Sequence, residues 1–311
     1  ADISGEWNSW SIGQSLEKLE RELALPGTTL VEPPVNRLLR AAGAHSESLN
    51  GVNLGRFLYL QLPDGMTVEE AEKIVSVCKN NKVILGAGFM MRFLSQHQAA
   101  MKLIHEGKLG KPVCARAQLS CWYPPIAGAW RQDPATGGGG SLMDMGSHCI
   151  DLLEMFFGKA RSVSCFINNT VHSYRSEDSA VVSVFFENGA LATVDTFFCI
   201  PDNSSKNILE LYGSGGSIIA RGTIGQGPAG EMTAYLDSET SGYNAAQERN
   251  TDYGIQINPV PKNTYLAEIE EFGNSILENR KPSNSFLPGL RSLQVLEACY
   301  RSAKTGKVEV I

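Results

Sequence analysis

The sequence lacks any uninterrupted apolar run approaching the roughly 20 residues of a membrane span, and its first residues, ADISGEW, carry no charged-then-apolar export pattern. No membrane partner is expected, and the expected location is cytoplasmic. It also lacks an excess of positive charge. Lys and Arg number 27 against 33 Asp and Glu, a net charge of -6, which argues against binding a phosphate backbone. Nucleic acid is not an expected partner. A CxxC pair is missing as well. The seven cysteines, Cys78, Cys114, Cys121, Cys149, Cys165, Cys199 and Cys299, are scattered, and an odd number cannot close completely into disulfides. Reduced, packed thiols are expected. There is no internal repeat and no low-complexity segment.

What is present suffices for a globular protein. A chain of 311 residues with 42% hydrophobic and 19% charged residues is too long for one compact core and about right for two. Thr67 opens TVEEAEKIVSVCK with Glu70 three residues later. This is a capping box, with Val68, Ala71, Ile74, Val75 and Cys78 on one helical stripe over residues 67–79. A β-branched run, Lys82–Leu85, follows. A further helix is expected from about Ser95 to His105, stopping at Gly107. Gly55–Leu60 reads as a strand, so a strand–helix–strand unit of the kind that builds parallel sheets is expected within residues 55–85.

From residue 112 the texture changes to alternating and β-branched segments joined by turn signals such as Glu187-Asn188-Gly189. These predict an extended, mostly antiparallel sheet. One helix interrupts it at Ser147–Phe157, and two close the chain near Tyr265–Leu277 and Gly289–Lys304. The expected fold class is α/β plus α+β, a partial Rossmann-type parallel sheet followed by a larger domain with an open sheet and helices on one face.

The most unusual stretch runs from Trp130 to Asp151, WRQDPATGGGGSLMDMGSHCID. Four consecutive glycines allow a tight turn or close approach of backbone to a ligand, and they lead directly into a helix. Asp144 and His148 are four residues apart on that helix, where a carboxylate can orient an imidazole as a general base. Taken alone, D-x-x-x-H reads more readily as an acidic first turn and a satisfied histidine. A metal site built from Asp144, His148, Cys149 and Asp151 matches no strong zinc spacing, and no metal is expected. His45, His97, His105 and His172 lack a comparable constellation and default to structural or exposed roles.

W-R-x-D-P, a glycine run, D-x-G-x-H and then Asp151 together resemble the hallmark of the Gfo/Idh/MocA (glucose-fructose oxidoreductase / inositol dehydrogenase / rhizopine catabolism) family. So do Thr67–Val77, Gly88–Phe93, Gly107–Gly110, Glu177-Asp178-Ser179-Ala180, Phe186–Ala190 and the tail from Tyr265 to Gly306. The resemblance implies a dinucleotide-binding domain over residues 1–93 that is incomplete or divergent, and a substrate and oligomerisation domain over 94–311. It implies NAD or NADP as cofactor, a sugar, polyol or related hydroxy or keto compound as substrate, and a homo-oligomer formed through the C-terminal sheet. His148 would exchange the hydroxyl proton with Asp144 holding its ring and favouring the protonated form. Trp130 and Arg131 would border the cofactor, and Arg92, Tyr123 and Asp151 would contact substrate. Asp2 would grip the adenosine ribose, and Pro34 and Asn36 would lie at a turn near the nicotinamide.

The resemblance also has gaps. About 30 residues carrying a first strand, glycine loop and first helix are expected upstream of Ala1. Gly225–Gly230 fits G-x-G-x-x-G but lies in the β-rich half, and Gly86-Ala87-Gly88 lacks the third glycine, so neither is expected to bind pyrophosphate. Where the family carries Glu-Lys-Pro, this chain has Gln61-Leu62-Pro63, with Gln61 and Pro63 still placed beside the cofactor. Leu62 cannot donate a hydrogen bond to a developing alkoxide. Three functions follow: an NAD(P)-dependent oxidoreductase, a catalytically silent relative acting as a ligand-binding or assembly subunit, and a redox-cycling lyase or glycosidase.

Overall fold

The computed structural model describes residues 67–80, 84–237, 245, 254–278 and 280–311, together with the backbone of two short strands, β1 (Thr29–Val31) and β2 (Tyr59–Gln61). Asp2, Pro34, Asn36, Leu62 and Pro63 lie outside the described residues, and Gln61 is described only as backbone. β1 and β2 pair antiparallel, with Thr29 opposite Gln61. This departs from the parallel partnering expected around Gly55–Leu60.

Helix α1 (Val68–Asn80) starts on the expected capping box, in which Thr67 N–H donates to Glu70 Oε2 at 2.8 Å and Glu70 N–H donates to Thr67 Oγ1 at 3.2 Å. Its buried face is Ala71, Ile74 and Cys78. The strand expected at Lys82–Leu85 does not form at its described end. Gly86 instead bridges antiparallel to Ser285, flanked by bonds from Phe286 N–H to the Leu85 carbonyl and from Ala87 N–H to the Asn284 carbonyl. A Cβ at Gly86 would stand 2.9 Å from the Phe272 ring, so the glycine serves this close approach. A 3-10 turn (Met90–Phe93) then leads into α2 (Ser95–His105), whose C-terminal turn ends at Gly107 with φ +73.

The dominant feature is a nine-stranded sheet. In chain order the strands are β3 (Pro112–Ser120), β4 (Ala160–Asn168), β5 (Ser179–Phe186), β6 (Leu191–Phe197), β7 (Ile208–Gly213), β8 (Gly216–Arg221), β9 (Glu231–Leu236), β10 (Ile255–Gln256) and β11 (Glu309–Val310). Their spatial order is β10-β9-β8-β7-β3-β6-β5-β4-β11. All neighbours are antiparallel except β3 and β6, which run parallel with Ala117 opposite Val194. Alternation decides which face is covered. Along β5, Ala180, Val182, Val184 and Phe186 are buried, while Val181 and Phe185 are exposed. The covered face receives α4 (Ser147–Phe157), which the short α3 (Pro134–Gly137) precedes in the chain, and α6 (Phe286–Thr305); their buried Leu152, Phe156, Val295 and Cys299 join the sheet's core. α5 (Thr264–Leu277) begins with Asn263 Oδ1 accepting from Leu266 N–H and packs against the 3-10 turn at Met90–Phe93. All seven cysteines are free thiols.

His97 illustrates a histidine held for packing. It is fully buried in α2, with Nδ1 2.8 Å from the Met91 carbonyl and its ring edge-on to Phe156 at 5.9 Å. Burial pushes its pKa from 6.5 down to about 4, against the opposite pull of that hydrogen bond. The folded ring therefore stays neutral while the unfolded ring takes up a proton below about pH 6.5. The native state keeps the full stabilisation above that pH and loses it as pH falls toward 4, by roughly 3 kcal/mol. Denaturant melts at pH 7 and pH 4 check this: His97→Gln is expected to be less stable at pH 7 but to lose correspondingly less on acidification.

Candidate active site

The stretch from Trp130 to Asp151 folds as a chain of short helical pieces. A 3-10 turn (Trp130–Gln132) is followed by α3, whose first turn is capped by Asp133 Oδ1 accepting from Ala135 N–H at 3.0 Å. α3 ends in the first of the four glycines, the other three come next, and a π-helical turn (Leu142–Gly146) then passes directly into α4. The expected α-helix over Asp144 is therefore a wider π turn. Such turns are rare and frequently lie at functional sites.

The glycines answer to packing. Gly138 ends α3 with φ +69, in the left-handed region. A Cβ at Gly139 would overlap the Tyr300 hydroxyl, and one at Gly140 would overlap the Glu177 carbonyl. The expected close approach is thus made to the protein's own Tyr300 and Glu177. Glu177 is buried, and its Oε1 accepts from Gly140 N–H at 2.8 Å, Leu142 N–H at 3.0 Å and Tyr300 O–H at 2.9 Å. Its carbonyl accepts from Ser141 N–H at 3.1 Å.

Asp144 lies in the π turn and His148 in the first turn of α4, as the spacing predicts. Their pairing differs from the expected one. The Asp144 carboxylate forms an ion pair with Arg131, Nε to Oδ1 2.9 Å, and the Arg131 guanidinium also lies over the Trp130 ring, 4.0 Å from its centroid. Nδ1 of His148 is buried with no hydrogen-bond partner among the described residues, and the ring stands edge-on to Phe89 at 5.6 Å. Burial lowers the pKa of His148 and outweighs the upward pull of the Asp144 charge. The ring is therefore favoured neutral, able to accept a proton, rather than held protonated by Asp144.

Arg92 and Asp151 are brought to the same region but engage each other. Arg92 Nε and Nη2 donate to Asp151 Oδ2 and Oδ1, both at 2.7 Å, a bidentate pair. Asp151 is only 2% exposed and both its oxygens accept from Arg92, so it faces the arginine and not an incoming molecule. Burial raises its pKa against the opposing pull of Arg92. Tyr123 packs on Phe198 at a ring separation of 4.9 Å beyond the end of β3, with its backbone carbonyl accepting from Tyr174 O–H. Trp130 is exposed.

Sequence reasoning did not single out Glu177, Tyr300 or Phe89 as individual site residues. Their one signal was membership in the Glu177-Asp178-Ser179-Ala180, Ala298–Gly306 and Gly88–Phe93 segments. The two glycine decoys are structural: Gly230 would overlap the Arg221 carbonyl if it carried a Cβ, and Gly86 faces Phe272.

Comparison with known proteins points one way. Residues 97–219 match the model of the GFO/IDH/MocA C-terminal domain. The 1,5-anhydro-D-fructose reductase of Ensifer adhaerens is 25% identical over 302 residues, 96% of this chain and 85% of that protein. The myo-inositol 2-dehydrogenase of Thermotoga maritima is 23% identical over 92% of this chain and 83% of that one. Among solved structures, the aldose-aldose oxidoreductase of Caulobacter crescentus superposes with a TM-score of 0.68 at 24% identity, covering 79% of this chain and 69% of that chain. A levoglucosan dehydrogenase in complex with NADH and levoglucosan gives 0.68 at 20% identity, covering 79% and 70%. The segment matched by that family model carries both Asp144 and His148, and the solved structures share its fold.

Proposed function

We propose that the protein is an NAD- or NADP-dependent oxidoreductase that interconverts a hydroxyl and a carbonyl on a sugar, polyol or related small molecule. His148 serves as the proton acceptor and donor. The single observation that carries this reading is the imidazole itself: a half-buried ring, favoured neutral, with a buried nitrogen that nothing in the described protein satisfies. The half-buried ring, together with the exposed Trp130 and the Arg131 guanidinium, fits the reacting end of a nicotinamide and a polar substrate. A bound nicotinamide supplies the gain or loss of hydride. The chain's own residues do the rest. The neutral imidazole takes the hydroxyl proton as the carbonyl forms and returns it in reduction. Arg131 and Asp144 neutralise each other beside it. Arg92, fixed by Asp151, keeps Nη1 outside the bidentate pair and available to a substrate oxygen.

In this reading residues 1–93 form the cofactor domain, with Asp2, Pro34, Asn36, Gln61 and Pro63 along the cofactor, and residues 94–311 form the substrate domain. The uncovered sheet face, with Phe166 74% exposed, Leu191 56% exposed, Val181 and Phe185, is the contact between copies in a homo-oligomer. Seven free thiols suit a reducing, cytoplasmic compartment.

One sequence feature favours a second reading. Leu62 stands where the resemblance places a lysine, as expected of a silent ligand-binding relative. A panel of aldoses, inositols and anhydro sugars, assayed with NAD and NADP by absorbance of the reduced cofactor, separates the two. Turnover of any member supports the oxidoreductase. Saturable ligand binding without turnover supports the silent relative.

A further inference from the structure

The placement of His148 poses a physical question that its own contacts do not answer. The buried Nδ1 has no partner among the described residues, and the nearest carboxylate, Asp144, is committed to Arg131. Among the described residues the ring packs edge-on against Phe89. A ring without an orienting hydrogen bond takes its position from the backbone that carries it. That backbone is entered through a π turn, a rare geometry within helices.

Glu177 controls that entrance. The N–H groups of Gly140, Ser141 and Leu142 all donate to this one residue, the first and third to its carboxylate oxygen and the second to its carbonyl. The first N–H groups of a helix have no acceptor within the helix, and the aligned peptide dipoles favour a negative charge there. Here the charge comes from a side chain at the mouth of β5, 35 to 37 residues away in sequence. The same oxygen is held from the other side by the Tyr300 hydroxyl on α6 at 2.9 Å. Gly139 and Gly140 leave the room that the hydroxyl and the Glu177 carbonyl occupy. The carboxylate is thus pinned between the last long helix and the turn bearing Asp144 and His148.

We propose that Glu177, clamped by Tyr300, is a positioning residue for His148: it fixes the π turn and with it the position of the imidazole. The catalytic consequence rests on the oxidoreductase reading above, whereas the positioning itself does not. A misplacement of the base by about 1 Å lowers turnover by as much as 10²-fold.

The test uses the full chain and the variants Glu177→Gln, Tyr300→Phe and Asp178→Asn. Asp178 is the control: it accepts from Thr170, Val171 and His172 N–H and does not touch the π turn. The first readout is the ring ¹³C and ¹⁵N spectrum of His148, which reports its tautomer and surroundings without cofactor or substrate. The second is the division of any loss between kcat and KM. Glu177→Gln and Tyr300→Phe are expected to shift the His148 ring signals and lower kcat by about tenfold with KM within about twofold. Asp178→Asn, even with a comparable fall in Tm, is expected to leave the His148 signals in place. If Glu177→Gln does not fold, Tyr300→Phe carries the same expectation alone. The proposal is overturned if the Glu177 and Tyr300 variants lose stability while the His148 signals coincide with those of the unaltered protein. Absence of turnover in the unaltered protein contradicts the oxidoreductase reading alone, because the spectral comparison still decides the positioning.

Discussion

His148→Asn is expected to lower turnover by about 10²- to 10⁴-fold, the range attributable to a positioned general acid or base. Asparagine fills much of the same volume and keeps a hydrogen-bonding end, but it cannot accept a proton near neutral pH. The loss should therefore fall on kcat. Cofactor affinity should stay within about twofold, because no described residue that binds through charge is altered. Steady-state rates and cofactor titrations on the same preparation check both halves. A variant retaining more than about a tenth of the activity would move the proton transfer to another group.

The second large effect is expected at Asp151. Its carboxylate is 2% exposed and receives both a 2.7 Å bond from Arg92 Nε and a 2.7 Å bond from Nη2. Asp151→Ala leaves a guanidinium facing protein interior without its counter-charge. Breaking one partner of such a pair typically destabilises by about 3–5 kcal/mol, and the 16% exposure of the Arg92 side chain places the expectation near the lower end. Replacing both, as Arg92→Met with Asp151→Leu, should be much milder, since no charge is left unpaired. Urea melts of the three variants test this. A single variant within about 1 kcal/mol of the unaltered protein would mean that water reaches the guanidinium and the pair is not truly buried.

The parts of the fold that were legible in the sequence are those set by short-range chemistry. The capping box at Thr67 and Glu70 forms as the spacing requires, and α4 occupies Ser147–Phe157 as its apolar stripe indicates. The alternation in β5 marks its covered and open faces. The parallel pairing of β3 with β6 was not legible, because it joins residues some 75 positions apart and each strand alternates identically in either direction. At the described end of the Lys82–Leu85 run the limit is similar. A β-branched run states a propensity, while the pairing is settled by Asn284–Phe286 at the far end of the chain.

The candidate site divides along the same line. The spacing of Asp144 and His148 put them on one helical segment, and the resemblance supplied their expected roles. The partners of Asp144 and Asp151 could not be named, since Arg131 claims Asp144 from a separate turn and Arg92 reaches Asp151 across 59 residues. The glycine run was conspicuous, but its cause was invisible: Glu177 lies just before β5 and Tyr300 on α6. Four glycines in sequence say that something approaches the backbone. Only the fold says that it is a tyrosine hydroxyl and a peptide carbonyl.

The account rests on a neutral imidazole working beside a bound nicotinamide. The most direct measurement follows tryptophan fluorescence of the full chain during titration with NADH and NADPH, with the unaltered protein and His148→Asn side by side, and then follows cofactor oxidation on adding a keto sugar. Saturable quenching in both proteins, with oxidation in the unaltered one alone, is the predicted result. Absence of quenching with either cofactor, or equal oxidation by both proteins, would contradict it.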